Sequence, residues 1–241
     1  MSYRPLVHTN FGPVAGGPVG DRSVEEIVDG DPITGKCRHP IAKKLMDGAP
    51  LDIRNGVKAP DGPIFRLDGT EGTLHGVIAE QRGDRGEGKA ARMTLVIFGS
   101  QTCPMFMGKL HEVVEVVRPM MAKGILTVLL VYIREAHPTD GWDNGASSPL
   151  PKLKQTHTRD ARMAAAKLFC ETAGGLLEGI TVLVDDATTN ALDVAYEAPP
   201  ARLVLLDDGN RVAHCTGQAP LQFNLKKFAD DMAYIAMIMD D

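Results

Sequence analysis

Two runs of the chain are apolar without interruption, and they frame the rest. Thr94-Leu95-Val96-Ile97-Phe98 and Ile125-Leu126-Thr127-Val128-Leu129-Leu130-Val131-Tyr132-Ile133 show no polar face at a two-residue repeat, the pattern of central parallel strands covered by helices on both sides. Between them Leu110, Val113, Val114 and Val117 recur at helical spacing. Further on, residues 158–171 place Ala161, Ala164, Ala165, Leu168 and Phe169 on one helical face, and Ile180-Thr181-Val182-Leu183-Val184 predicts the next strand. Asp208-Gly209 is a hairpin turn between Leu203–Leu206 and Arg211–His214. The last helix sets Leu221, Leu225, Phe228, Met232, Ile235 and Met239 along one stripe, which is core packing. From residue 94 onward the order is strand, helix, strand, helix, strand, short helix, two strands and a final helix, an α/β chain with a central mixed sheet flanked by helices.

The first 90 residues are patterned differently. They hold 23 of the chain's glycines and prolines, which predicts a loop-rich N-terminal extension over 1–55 whose apolar patches, such as Ile41–Met46, are brief. The domain then runs from 56 to 241, with Gln81–Lys89 a solvated loop.

A length of 241 residues is enough for a sizeable core. A net charge of −5 gives no basic footprint for nucleic acid or an anionic membrane surface. No run of about 18 apolar residues exists to cross a bilayer, and the N-terminus lacks the apolar core of a signal peptide. The expected partners are therefore a small molecule, not nucleic acid or membrane, and the expected location is cytoplasmic. Cysteines at 37, 103, 170 and 215 form no C-x-x-C pair and no zinc spacing. Cys37-Arg38-His39 and His214-Cys215 are read as non-metal.

The cysteine that changes the picture is Cys103, in Phe98-Gly99-Ser100-Gln101-Thr102-Cys103-Pro104-Met105-Phe106, where a buried strand gives way to a helix. Backbone N–H groups at a helix start lack intrahelical partners and carry partial positive charge, which favours thiolate over thiol. The Ser100 and Thr102 hydroxyls and a cation such as Arg202 are candidates to lower the thiol pKa further. Sites in open sheets gather at the carboxyl ends of parallel strands. The loop after the second strand brings Glu135 and His137 to that edge. If the strand beginning at Arg202 runs antiparallel, its start lies there too.

The segment around Cys103 resembles the selenocysteine motif of the iodothyronine deiodinases, with Cys103 at the selenocysteine position. Val131-Tyr132-Ile133-Arg134-Glu135-Ala136-His137-Pro138-Thr139-Asp140-Gly141-Trp142 is nearly identical to that family's second signature, and a third stretch fits from Asp186 through Asn190 and Tyr196 to Arg202-Leu203. The resemblance implies a thioredoxin-like fold of peroxiredoxin type and reductive dehalogenation of a small aromatic. It makes Cys103 the nucleophile, His137 and Glu135 the groups for protonation and substrate handling, and Tyr132 and Arg202 supporting positions, Arg202 for an anionic substrate group. It also implies a homodimer, no bound cofactor and an external thiol reductant. Selenium is absent from this sequence, and a sulfur version is expected to be slower. Gln101 and Thr181 stand where the family has further cysteines, so Cys215 and then Cys37 are the internal candidates for a resolving thiol. Phe106 at the second position of a C-x-x-C speaks against a general dithiol exchanger. Two other readings stay open: a peroxiredoxin-like thiol peroxidase, and a non-catalytic ligand-binding module.

Overall fold

The computed structural model describes residues 53–83, 93–141, 143, 150–219 and 223–239. Cys37, Trp142, Leu221 and nearly all of the N-terminal arm lie outside them. Strands β1 (Pro63–Arg66) and β2 (Glu71–Thr73) form a hairpin and lead into helix α1 (Leu74–Gly83). β3 (Met93–Gly99), α2 (Pro104–Ala122) and β4 (Leu126–Tyr132) follow, then α3 (Arg159–Ala173), a 3₁₀ turn at Gly174–Leu177 and β5 (Thr181–Asp185). The chain closes with α4 (Ala191–Ala195), β6 (Arg202–Leu206), β7 (Val212–Cys215) and α5 (Leu225–Met239).

The strands make one sheet in the order β2-β1-β5-β4-β3-β6-β7. β3, β4 and β5 are mutually parallel, as their unbroken apolar runs predict, whereas β6 lies antiparallel to β3 with Phe98 opposite Arg202. The β3-α2-β4 unit and the β6-β7-α5 unit, joined as β4-β3-β6-β7, are the core of a thioredoxin-like fold. The α3-β5 segment between them widens the sheet in the peroxiredoxin manner.

Alternate residues of each strand enter opposite cores. One core joins Leu95, Ile97, Leu130 and Tyr132 to α2, α3 and α5. The other joins Val96, Phe98, Val131 and Ile133 to α1, α4 and the segment from Ile53. That segment is bound before residue 56, since Ile53 is buried and the Gly56 N–H donates to Val212 O.

Two local expectations change. Residues 74–83 form a helix where the sequence suggests a loop from Gln81. Thr73 Oγ1 caps it by accepting from Gly76 N–H, and Leu74, Val77 and Ile78 recur at helical spacing on its buried face. In α3 the buried face is Arg162, Ala165, Ala166, Phe169 and Ala173, so Ala161, Ala164 and Leu168 turn outward and an arginine turns in.

Candidate active site

Cys103 is the N-cap of α2. Pro104 stands at the first helical position, where its missing N–H is no loss, and the Cys103 backbone is extended. From there Sγ accepts the Phe106 N–H at 3.4 Å, so the helix start does present a donor to sulfur. The turn sits tightly against the strand before it. A methyl group added at Gly99 would fall 2.3 Å from the Phe106 ring, and that ring is buried against Phe169 at 5.7 Å between centroids. Gly99→Ala is expected to lower stability by about 1–3 kcal/mol through overpacking and to shift the start of α2. Thermal unfolding and the rate of Cys103 alkylation measure the two effects.

The loop after β4 is fastened to this turn. Glu135 Oε2 accepts from Thr102 N–H at 3.1 Å and from Thr102 Oγ1 at 2.7 Å. Its other oxygen accepts from the Tyr132 hydroxyl, which itself accepts from Gln101 N–H at 3.1 Å. Ser100 Oγ accepts from Ala136 N–H at 3.2 Å, and Thr102 Oγ1 accepts from His137 N–H at 3.0 Å. Ser100, Thr102, Cys103, Tyr132, Glu135 and His137 are thus brought together, although the Ser100 and Thr102 hydroxyls hold the loop and do not reach the sulfur as donors.

Burial governs the electrostatics. Cys103 is 1 % exposed, and this desolvation pushes its thiol up to about 11; the Phe106 and Met105 N–H groups oppose the rise and the Glu135 charge adds to it. The expectation of a lowered thiol pKa is therefore reversed, because loss of water outweighs two backbone dipoles. At pH 7 the resting sulfur is the thiol. Burial also raises the Glu135 carboxyl, against hydrogen bonds from Tyr132 and Thr102. Alkylation of Cys103 by iodoacetamide is expected to be slower than that of free cysteine at pH 7 and to rise about tenfold per pH unit toward pH 10. A plateau below pH 9 would contradict the buried thiol.

Arg202 does not join the cluster. It shares a face with Val204 and Leu206, on the opposite side of the sheet from Tyr132, and is 1 % exposed. Its guanidinium donates to Thr216 O at 2.9 Å, Tyr196 O at 2.8 Å and Ile53 O at 2.9 Å and lies 3.5 Å from Glu197. It neither contacts the Cys103 sulfur nor is open to an anionic group. Cys215 packs on that same far face, opposite Val204, with Sγ 3.8 Å from Arg202 Nη2. The sheet separates it from Cys103, whereas a disulfide needs Cα atoms within about 7 Å. Cys215 is therefore not placed to resolve Cys103.

Residues not singled out in the sequence complete the site. Gln155 Oε1 accepts from Glu135 N–H and its Nε2 donates to Glu135 O, both at 2.9 Å, as a neighbouring strand would. Asp140 Oδ1 accepts from Gln155 N–H at 2.7 Å, in keeping with a loop-holding role for Asp140. Among the described residues no cluster of three metal-ligand side chains occurs, and no helix is long and apolar enough to cross a membrane.

Known proteins resemble this chain. The model for "Iodothyronine deiodinase" matches residues 41–232. Type II iodothyronine deiodinase of Sus scrofa is 28 % identical over 204 residues, covering 81 % of this chain and 74 % of that protein. The Gallus gallus type II enzyme is 32 % identical over 137 residues, 56 % of this chain and 47 % of its own. Among solved structures, a putative protein disulfide isomerase from Bacteroides thetaiotaomicron has a TM-score of 0.49 at 15 % identity, covering 79 % of this chain and 92 % of its own. A peroxiredoxin-like protein from Aquifex aeolicus has 0.46 at 14 %, covering 77 % and 89 %. The family match takes in the Cys103 turn, the Glu135 loop and every strand of the sheet, and the chain belongs to the iodothyronine deiodinase family.

Proposed function

We propose that this protein is a thiol-dependent oxidoreductase in which Cys103 carries out reductive dehalogenation of a small halogenated aromatic. The observation that carries the reading is the N-cap sulfur of α2 set beside the Thr102–Glu135–Tyr132 network, within a family match over 41–232.

The chemistry balances with an external thiol. Cys103 loses its proton to the Glu135 carboxylate, and Sγ attacks the halogen. The carbon–halogen electron pair passes to carbon, which takes a proton from His137. The products are the dehalogenated arene and a sulfenyl halide on Cys103. A reductant thiol displaces halide from that sulfur to form a mixed disulfide, and a second thiol releases Cys103 as the free thiol. The aromatic has gained two electrons and one proton, and the reductant leaves as its disulfide. His137 suits the proton transfer because its backbone is fastened to Thr102 beside Cys103 and an imidazole can give and take a proton.

The buried resting thiol adds a condition. Attack requires removal of the Cys103 proton after the substrate has approached, and neutralisation of Glu135 by that proton takes away the charge that opposes the thiolate. The test is halide release from iodinated phenols in the presence of dithiothreitol, with hydrogen peroxide consumption measured in parallel. Halide release dependent on Cys103 supports the reading. Fast peroxide consumption without halide release replaces it with a thiol peroxidase.

A further inference from the structure

Behind Glu135 lies a buried cation that the chemistry above has not used. Arg162, on the first turn of α3, is 1 % exposed. Its three hydrogen bonds all go to uncharged oxygens: Nε to Thr156 Oγ1 at 3.0 Å, Nη2 to Thr156 O at 3.0 Å and Nη1 to Asp186 O at 3.3 Å. Thr156 N–H in turn donates to Gln155 Oε1 at 3.0 Å, and that oxygen also takes Glu135 N–H. A continuous path of short contacts therefore runs from Arg162 through Thr156 and Gln155 to the Glu135 backbone.

The charges around it form one set. Asp193, fully buried, pairs with both arms of Arg134 at 2.6 and 2.7 Å. Asp185, also fully buried, accepts from Leu192 and Asp193 N–H at 3.1 and 3.0 Å. Arg162 lies within electrostatic reach of Asp185, Asp193, Arg134 and Glu135. A buried guanidinium is costly unless negative charge lies near it. The Glu135 carboxyl accepts from Tyr132 on β4 and from Thr102 in the turn into α2, and the charged or titratable groups that act on it from further off are Cys103 and Arg162 on α3.

We propose that Arg162 is a positioning residue for Glu135, holding the 155–156 segment that grips the Glu135 backbone and supplying the buried positive charge that faces its carboxylate. This rests on the reading of Glu135 as the proton-handling group of the site. Removal of the cation leaves Glu135 protonated to higher pH. The Cys103 thiol, raised to about 11, ionises where a carboxyl is already charged, so loss of the cation does not lower it.

The experiment uses the full chain with Arg162→Met and Arg162→Lys, folding being verified by circular dichroism. Glu135 is titrated by carbon-13 carboxyl resonance, assigned by its loss in Glu135→Gln, and Cys103 by the pH dependence of iodoacetamide alkylation. In Arg162→Met the Glu135 midpoint is expected to rise by about one unit or more and the alkylation midpoint not to fall. In Arg162→Lys, which keeps the charge and loses the fork on Thr156, the Glu135 midpoint should stay within about half a unit while alkylation at pH 7 changes severalfold. A folded Arg162→Met with the Glu135 midpoint unmoved overturns the proposal. If that variant does not fold, Arg162→Lys decides: identity with wild type in both readouts overturns it. Neither readout needs turnover, so absence of dehalogenation in the wild type would sink the proposed function while leaving this coupling measurable.

Discussion

Cys103→Ser is expected to reduce halide release from iodinated phenols by at least about a thousandfold, because a hydroxyl in this position has no comparable nucleophilicity and the remaining groups act through the sulfur. Stability should move by less than about 1 kcal/mol, since serine is a good N-cap and Oγ can accept the same Phe106 N–H that Sγ accepts now. The pair of results separates chemistry from folding: a large loss of turnover with an unchanged melting temperature. Turnover retained in Cys103→Ser would move the nucleophile elsewhere and end the proposed mechanism. Alkaline pH offers an independent check on the same residue. Its thiol is raised in the folded protein to about 11, so the stability associated with the buried neutral thiol is present below the unfolded value near 9 and is lost as pH climbs through 11. Cys103→Ser should flatten that part of the stability profile.

Arg202→Ala is expected to be strongly destabilising, at about 3–5 kcal/mol, because it removes the cation beside a buried carboxylate. Three backbone carbonyls, on Ile53, Tyr196 and Thr216, lose their donor together, and Glu197 loses the cation 3.5 Å away. For a chain of this size the melting temperature should fall by roughly 6–20 °C. Arg202 ties the Ile53 segment to the far face of the sheet, so the loss should appear as unfolding and early proteolysis after residue 53. A variant with native melting temperature and a raised KM alone would instead make Arg202 a substrate ligand.

The contrast between Arg202 and Arg162 shows where sequence reading stops. Both are arginines near strand or helix starts, and the sequence favours Arg202 because the family resemblance marks it. The register of β6 against β3 decides otherwise. Arg202 lies opposite Phe98 and shares the face of Val204 and Leu206, away from Tyr132. A shift by one residue would have sent it to the other side. On α3 the alanine-rich pattern over 158–171 admits more than one buried face, and packing of Phe169 against Phe106 and Tyr132 selects the face that carries Arg162 inward. Gln155 is polar and sits in a segment without periodicity, so nothing local marks it as the clamp on Glu135.

The sequence by itself determined the elements whose signals are local: the apolar runs of β3 and β4, the Asp208-Gly209 hairpin, the spacing of α2 and the placing of Cys103 where strand becomes helix. It also carried the Glu135 loop, because that signature is contiguous. Only the tertiary structure decided which face of the sheet each charge entered, that Cys215 was walled off from Cys103, and that Cys103 was buried deeply enough for desolvation to outweigh the helix start. Periodicity and capping depend on neighbours a few residues away. Strand register, helix rotation and the exclusion of water depend on contacts between residues tens to more than a hundred positions apart, and these set the proton affinity of Cys103 and Glu135.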